Sequence, residues 1–166
     1  MADKLSPLAN PNASSAVAVL SANATDLTNF QDLGSGVCTE WLLDRRVTAI
    51  YLSDMTVATV DTWIEYMKKE LREWPAGQLY CSLTDLSAPQ VRMTPYARIR
   101  SAETSTMRNE LTTFAAVIVA SNVFGQILRP FINSFPRPSS ATVKIFFTRA
   151  EGLVWLEKML VKYGNK

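Results

Sequence analysis

The chain has 166 residues, of which 48% are hydrophobic and 19% are charged, and its net charge is +2. This composition predicts one folded domain and excludes a chain that is disordered throughout. No apolar run approaches the roughly 18 residues that a membrane-spanning helix needs, and the first residues do not follow the pattern of a secretion signal. We therefore expect a cytoplasmic protein with no membrane span.

The residue types that build metal and disulfide sites are scarce. Histidine is absent, and the two cysteines, Cys38 and Cys81, lie far apart in the sequence. Structural zinc usually takes four cysteine or histidine ligands, and a disulfide framework needs several cysteine pairs. We expect two reduced, mostly buried thiols, no metal site and no cofactor.

The first predicted segment is a flexible leader at residues 1–33. It is rich in Ala, Ser, Asn and Pro and has neither the strand period nor the helix period. Gly34-Ser-Gly36 is predicted to begin the folded domain, which then spans residues 34–166. Two β-branched and aromatic runs at 37–43 and 47–52, separated by Asp44-Arg-Arg46, predict an antiparallel hairpin.

A helix should follow from a cap at Thr56, because apolar side chains recur at helical spacing as far as Trp74. The next strand is predicted at 78–85 and should lie parallel to the second hairpin strand. Thr94-Pro95 has the form of a helix start, and the polar helix from there to about Asn109 should be loosely held.

The run from Phe114 to Ser121 has no polar position before Ser121. A strand with one wet face alternates polar and apolar residues, so this run predicts the central strand of a parallel sheet, covered on both faces. A helix from Asn122, kinked or ended at Pro130, and a strand at 142–147 should follow. A capping box at Thr148-Arg-Ala-Glu151 predicts the start of the last helix.

The predicted order is ββαβαβαβα. It indicates an α/β fold with a single mixed sheet of about five strands, an N-terminal antiparallel hairpin, a largely parallel remainder and about four helices.

Two stretches resemble the SpoIIAA-like group of STAS-related domains. They are Asp85-Leu-Ser87, which follows a strand, and Phe146-Phe-Thr-Arg-Ala-Glu-Gly-Leu-Val-Trp-Leu156, a strand end with an acidic capped turn and a Trp-Leu pair. The resemblance covers about residues 37–163. It implies a fold shared between anti-sigma-factor antagonists and the lipid-binding CRAL-TRIO domains, and a bacterial-type regulator without enzymatic activity.

In the antagonists, a partner kinase phosphorylates a serine at a helix start. Laid on that pattern, Thr94 stands in the place of a serine, whereas Met93 and Pro95 depart from the pattern. The resemblance therefore implies a regulatory or phosphorylation site at Asp85, Ser87 and Thr94. Backbone amides at the helix start would favour a phosphate on Thr94.

Four arginines flank or lie in the predicted helix at 94–109: Arg92, Arg98, Arg100 and Arg108. The helix start would lie at the carboxyl edge of the sheet, where open α/β sheets bind ligands. One interpretation is a site for an anion, a lipid headgroup or an acidic partner, and the simpler one is a solvated helix face. Nucleic acid is not expected, because the arginines are not interleaved with exposed aromatic residues.

Three large apolar residues, Phe131, Ile132 and Phe135, lie between Pro130 and Pro136. A broken helix buries such side chains poorly. If they are exposed, they predict a dimer or partner surface, or the gate of an apolar pocket.

An enzyme is not expected, because histidine, the usual general acid–base group, is absent and no glycine-rich phosphate loop is present. The leading hypothesis is a non-catalytic regulatory or protein-binding module that contacts a protein partner, or a second copy, through residues 85–109. The alternative is a carrier of a small amphipathic or lipid-like ligand. Its pocket would lie between the helices predicted at 94–109 and 122–135 and the sheet.

Overall fold

The computed structural model describes residues 30–121 and 140–164. Within these ranges the chain forms six strands and three helices in the order βββαβαββα. The strands are β1 (Phe30–Gly34), β2 (Val37–Leu42), β3 (Val47–Leu52), β4 (Tyr80–Leu86), β5 (Thr113–Val119) and β6 (Ala141–Phe146). The helices are α1 (Val57–Glu73), α2 (Pro95–Ser105) and α3 (Arg149–Tyr163).

All six strands form one mixed sheet, in which their order is the order of the sequence. The strands β1, β2 and β3 are antiparallel neighbours, and β3 to β6 pair in parallel. The predicted α/β fold with one mixed sheet is therefore confirmed, with six strands where about five were expected. The helix predicted from Asn122 lies outside the described residues.

The predicted start of the folded domain at Gly34 is too late, because the strand β1 begins before it. The prediction assigns residues 1–33 to the leader, but Phe30–Gly34 pairs with β2. The ring of Phe30 lies 6.5 Å from the ring of Tyr51 and anchors the strand. Gly34 and Gly36 adopt φ angles of 83° and 77°, so the Gly-Ser-Gly stretch is the turn of a β1–β2 hairpin. Residues 1–29 lie outside the described residues.

The predicted central strand is β5, but β5 does not occupy the centre. It is the fifth of six strands, and β3 and β4 lie in the middle. One of its faces is buried against α3, at Phe114, Ala116 and Ile118, and the other is only half-buried, at Thr113, Ala115 and Val117. The prediction failed for a physical reason. An apolar run indicates that other parts of the protein cover the strand, but it does not indicate where the strand lies in the order of the sheet.

The helices cover opposite faces of the sheet. The residues Val60, Trp63 and Ile64 of α1 pack with Ala97 of α2 on one face. The residues Trp155, Leu156 and Leu160 of α3 pack on the other face, in the cluster that also holds Cys38 and Cys81. Both cysteines are free and buried, as predicted. None of the three helices is both long enough and apolar enough to cross a bilayer.

Three predicted helix starts are confirmed by their capping side chains. The hydroxyls of Thr56, Thr94 and Thr148 each accept a hydrogen bond from the backbone N–H three residues further on. Pro95 occupies the first turn of α2, where its missing N–H would have had no partner within the helix. These starts follow from interactions within one helical turn, which the sequence alone specifies.

Candidate functional site

A cavity of about 210 Å³ lies between α1, α2 and the sheet face formed by β4, β5 and β6. The sheet provides its floor and the two helices provide its walls. Its lining includes Trp63 and Met67 from α1, Met93 and Met107 from the segments that flank α2, and Ala115 from β5.

Small side chains on the floor leave this space open. Along β4, Cys81 and Leu83 enter the core under α3, whereas Ser82 and Thr84 alternate with them and face the cavity. Ala115 lies beside Ser82 on the neighbouring strand. Two hydroxyls and an alanine methyl therefore form part of the floor, with the side chains of Val117 and Val143 on the neighbouring strand positions.

The second wall, α2, also contributes short polar side chains. Among its residues only Ala97 is buried. The hydroxyls of Ser101 and Thr104 line the cavity, and they donate to carbonyl oxygens of their own helix at 3.1 Å and 2.9 Å. Because these donors are satisfied, this wall offers acceptor lone pairs to a ligand.

The charged residue in the cavity lining is Arg108, and its guanidinium is engaged elsewhere. Its Nη1 donates to the carbonyl oxygens of Leu71 and Trp74 at 2.8 Å and 3.0 Å, and its Nε pairs with Glu110. The last carbonyl oxygens of a helix have no hydrogen-bond partner within it, so the guanidinium supplies donors and a positive charge at the carboxyl end of α1. The cavity surface is thus mainly apolar with a few hydroxyls.

Arg100, one of the four predicted anion-binding arginines, joins α2 to α1. Its guanidinium pairs with Asp61 at 3.0 Å, Glu65 at 3.1 Å and Glu103 at 2.6 Å. Lys68 reaches Glu103 as well, at 2.5 Å. Hydrogen bonds from Lys68 and Arg100 lower the pKa of Glu65 and Glu103 below the ordinary value for glutamate. Arg100 therefore acts as a structural cation within a network of ion pairs.

Two of the four arginines, Arg100 and Arg108, bind at different places along α1. Arg92 donates to the carbonyl oxygen of Pro89 at 2.7 Å, and Arg98 lies on the exposed side of α2. The predicted contact of the four arginines with an anion or a partner stays a prediction, with Arg100 and Arg108 already engaged within the fold.

The predicted regulatory residues lie on opposite sides of the sheet. Asp85, near the end of β4, accepts hydrogen bonds from the backbone N–H and the hydroxyl of Ser87 at 2.9 Å and 2.6 Å. It shares the sheet face of Cys81, which α3 covers. Thr94 caps α2 on the other face and accepts the N–H of Ala97 at 3.1 Å. The structure thus brings Asp85 and Ser87 together and places Thr94 apart.

The remaining predicted residues, Phe131, Ile132 and Phe135, lie outside the described residues. Within residues 30–121 and 140–164, no group of three cysteine, aspartate or glutamate side chains is placed to hold a metal ion. Burial raises the pKa of the Cys38 thiol to about 11, with Asp32 adding to the shift, and that of Cys81 to about 12. Both thiols are therefore protonated and weakly nucleophilic at neutral pH.

Sequence reasoning missed the floor of the cavity. The signal was present, because Ser82 and Thr84 are polar positions that alternate with apolar ones in a strand that should be covered on both faces. It also missed Glu70, which falls among the buried residues of α1, seven positions after Trp63 and four before Trp74.

Comparison with known proteins adds no relative: no family model matches the chain, and no curated protein and no solved structure matches it.

Proposed function

We propose that this protein is a non-catalytic binding module that holds a small, largely apolar molecule in the cavity between α1, α2 and the sheet. The observation that carries the proposal is the cavity itself, with a volume of about 210 Å³ and a mainly apolar lining. For comparison, a dry apolar cavity of roughly 150 Å³ in another protein binds benzene. The space therefore fits one aromatic ring with a short substituent, or an aliphatic group of similar size.

The lining also favours a ligand of this chemistry. The thioethers of Met67, Met93 and Met107 are flexible and polarisable, so they adapt to ligands of different shape and contact aromatic rings favourably. The hydroxyls of Ser82 and Thr84 supply polar contacts near the floor. A neutral molecule with one polar substituent matches these groups better than a strongly charged one.

A second candidate function is contact with a regulatory protein partner through α2. Ile99 supports it, because this large apolar side chain is 68% exposed at the outer side of the helix, within the 85–109 segment. Sedimentation of the protein alone would detect a homodimer, and Ile99→Asp should dissociate it. A purely monomeric wild-type protein would leave the cavity as the better-supported site.

Ligand-observed ¹⁹F NMR with fluorobenzene as the probe tests the proposed cavity. We expect the probe signal to broaden with wild-type protein and to stay sharp with Ala115→Phe, because the new ring fills the floor. Val154→Phe is the matched control, since Val154 lies on α3 at the opposite face and is 50% exposed. Equal broadening with Ala115→Phe, or no broadening with folded wild type, would refute the proposal. Native mass spectrometry of the purified protein would then identify a co-purified ligand.

A further inference from the structure

Glu70 is a carboxyl group on the buried side of α1. It is 8% exposed, and its Oε1 accepts a hydrogen bond from the hydroxyl of Thr48 on β3. Its Oε2 is buried and has no hydrogen-bond partner among the described residues. Removal from water penalises the charged form of a carboxyl group, so this burial favours the protonated acid.

The groups that face Glu70 are hydroxyls. The phenols of Tyr66, on α1, and Tyr80, on β4, lie beside it, and Thr39 on β2 bonds to Tyr66. The nearby cation Arg108 binds carbonyl oxygens at the end of α1. Burial raises the pKa of Glu70 to about 7, although the surrounding hydroxyls oppose the shift.

The end of α1 contacts the sheet through Glu70 and through Trp74, the residue that follows the helix. The Trp74 ring stacks on Trp41 of β2, with ring centres 6.2 Å apart, and meets the Tyr80 ring edge-on at 5.0 Å. Tyr80 lies next to Glu70 as well, so one residue of β4 connects both contacts. Adding a charge to Glu70 would place an uncompensated carboxylate at the centre of this contact.

We infer that Glu70 acts as a proton-operated latch: the neutral acid holds the last turn of α1 against β3 and β4, and loss of the proton loosens that turn. The direction of the pH dependence follows from the protonation of Glu70 in the closed and the opened turn. An opened turn exposes Glu70 to water, where it ionises near its ordinary value of about 4.5, whereas the closed turn keeps the proton to a higher pH. Opening therefore increases as the pH rises between these limits and then levels off. The latch does not require a ligand in the cavity.

Hydrogen exchange of the amides in residues 66–80 tests the latch on the full chain. After correction for the intrinsic exchange rate, we expect the opening constant of the wild type to rise by about an order of magnitude between about pH 5.5 and about pH 7.5. Glu70→Gln should remove this rise, because glutamine keeps the shape of the neutral acid. Glu73→Gln, an exposed position on the same turn, should retain it.

A second measurement keeps the latch testable if Glu70→Gln does not fold. The side-chain carboxyl carbon of Glu70 in wild-type protein should titrate in ¹³C NMR near neutral pH. Titration at the ordinary glutamate value, or an opening constant that rises equally in wild type and Glu70→Gln, would overturn the latch.

Discussion

The substitution Gly152→Ala tests how closely α3 packs on β5. Gly152 is buried within α3, and a Cβ atom built on it would lie 2.8 Å from Cδ1 of Ile118 and 3.4 Å from Cβ of Ala116. Carbon atoms do not approach to 2.8 Å without a shift of one of them. Ile118 is only 2% exposed, so its side chain has little space into which it could move.

Two opposing effects determine how much Gly152→Ala changes the free energy of unfolding. In a helix interior without neighbours, Gly→Ala would raise the free energy of unfolding by about 0.5–1 kcal/mol. Overpacking of a core lowers it by about 1–3 kcal/mol. We therefore expect Gly152→Ala to lower the free energy of unfolding by about 1 kcal/mol, because the contact with Ile118 outweighs the gain in helix propensity.

Ile118→Val removes the crowding atom and should relieve the strain. Alone, it should lower the free energy of unfolding by about 1 kcal/mol through the loss of one buried methyl group. Combined with Gly152→Ala, the new methyl group occupies the vacated space, and stability should return to within about 0.5 kcal/mol of the wild type. The coupling energy between the two sites should then be about 2 kcal/mol.

Urea denaturation followed by tryptophan fluorescence measures all four corners of this cycle. Ile50→Val is the matched control, since Ile50 is fully buried on the opposite face of the sheet under α1 and should add independently to Gly152→Ala. If Gly152→Ala raised the free energy of unfolding, or if the pair with Ile118→Val were additive, the reasoning about this contact would be wrong.

Three further predictions concern the turn, the cap and the thiols. Asp44 has a φ of 55° in the β2–β3 turn, so Asp44→Gly should raise the free energy of unfolding by roughly 0.5–1 kcal/mol in urea denaturation, and a decrease would contradict the assignment. Thr94→Ala removes the cap of α2 and should lower the free energy of unfolding by about 1 kcal/mol. No change would show that the cap is dispensable. Cys38 and Cys81 should react with a thiol reagent only after unfolding, so rapid reaction of the native protein would refute their burial.

Local features of the fold could be predicted from the sequence. The caps at Thr56, Thr94 and Thr148 and the position of Pro95 depend on residues within one helical turn. The β2–β3 hairpin follows from two apolar runs and the short turn between them. In each case the physical interaction that decides the structure joins near neighbours in the chain.

Features that depend on distant residues could not be predicted. The partners of Arg100, Asp61 and Glu65, lie 39 and 35 positions earlier, so the arginine looked available for an anion. The rank of β5 in the sheet depends on every other strand pairing. The cavity depends on how far α2 lies from the floor at Ala115, which no local pattern encodes.

Methyl NMR of protein with ¹³C-labelled methionine, titrated with fluorobenzene, tests the proposed ligand cavity most directly. Met67, Met93 and Met107 line the cavity, whereas Met159 belongs to α3 and packs in the core on the opposite face of the sheet. We predict saturable shifts of the first three methyl signals and an unchanged signal for Met159. No shift at the three cavity methionines, or an equal shift at Met159, would contradict the proposed function.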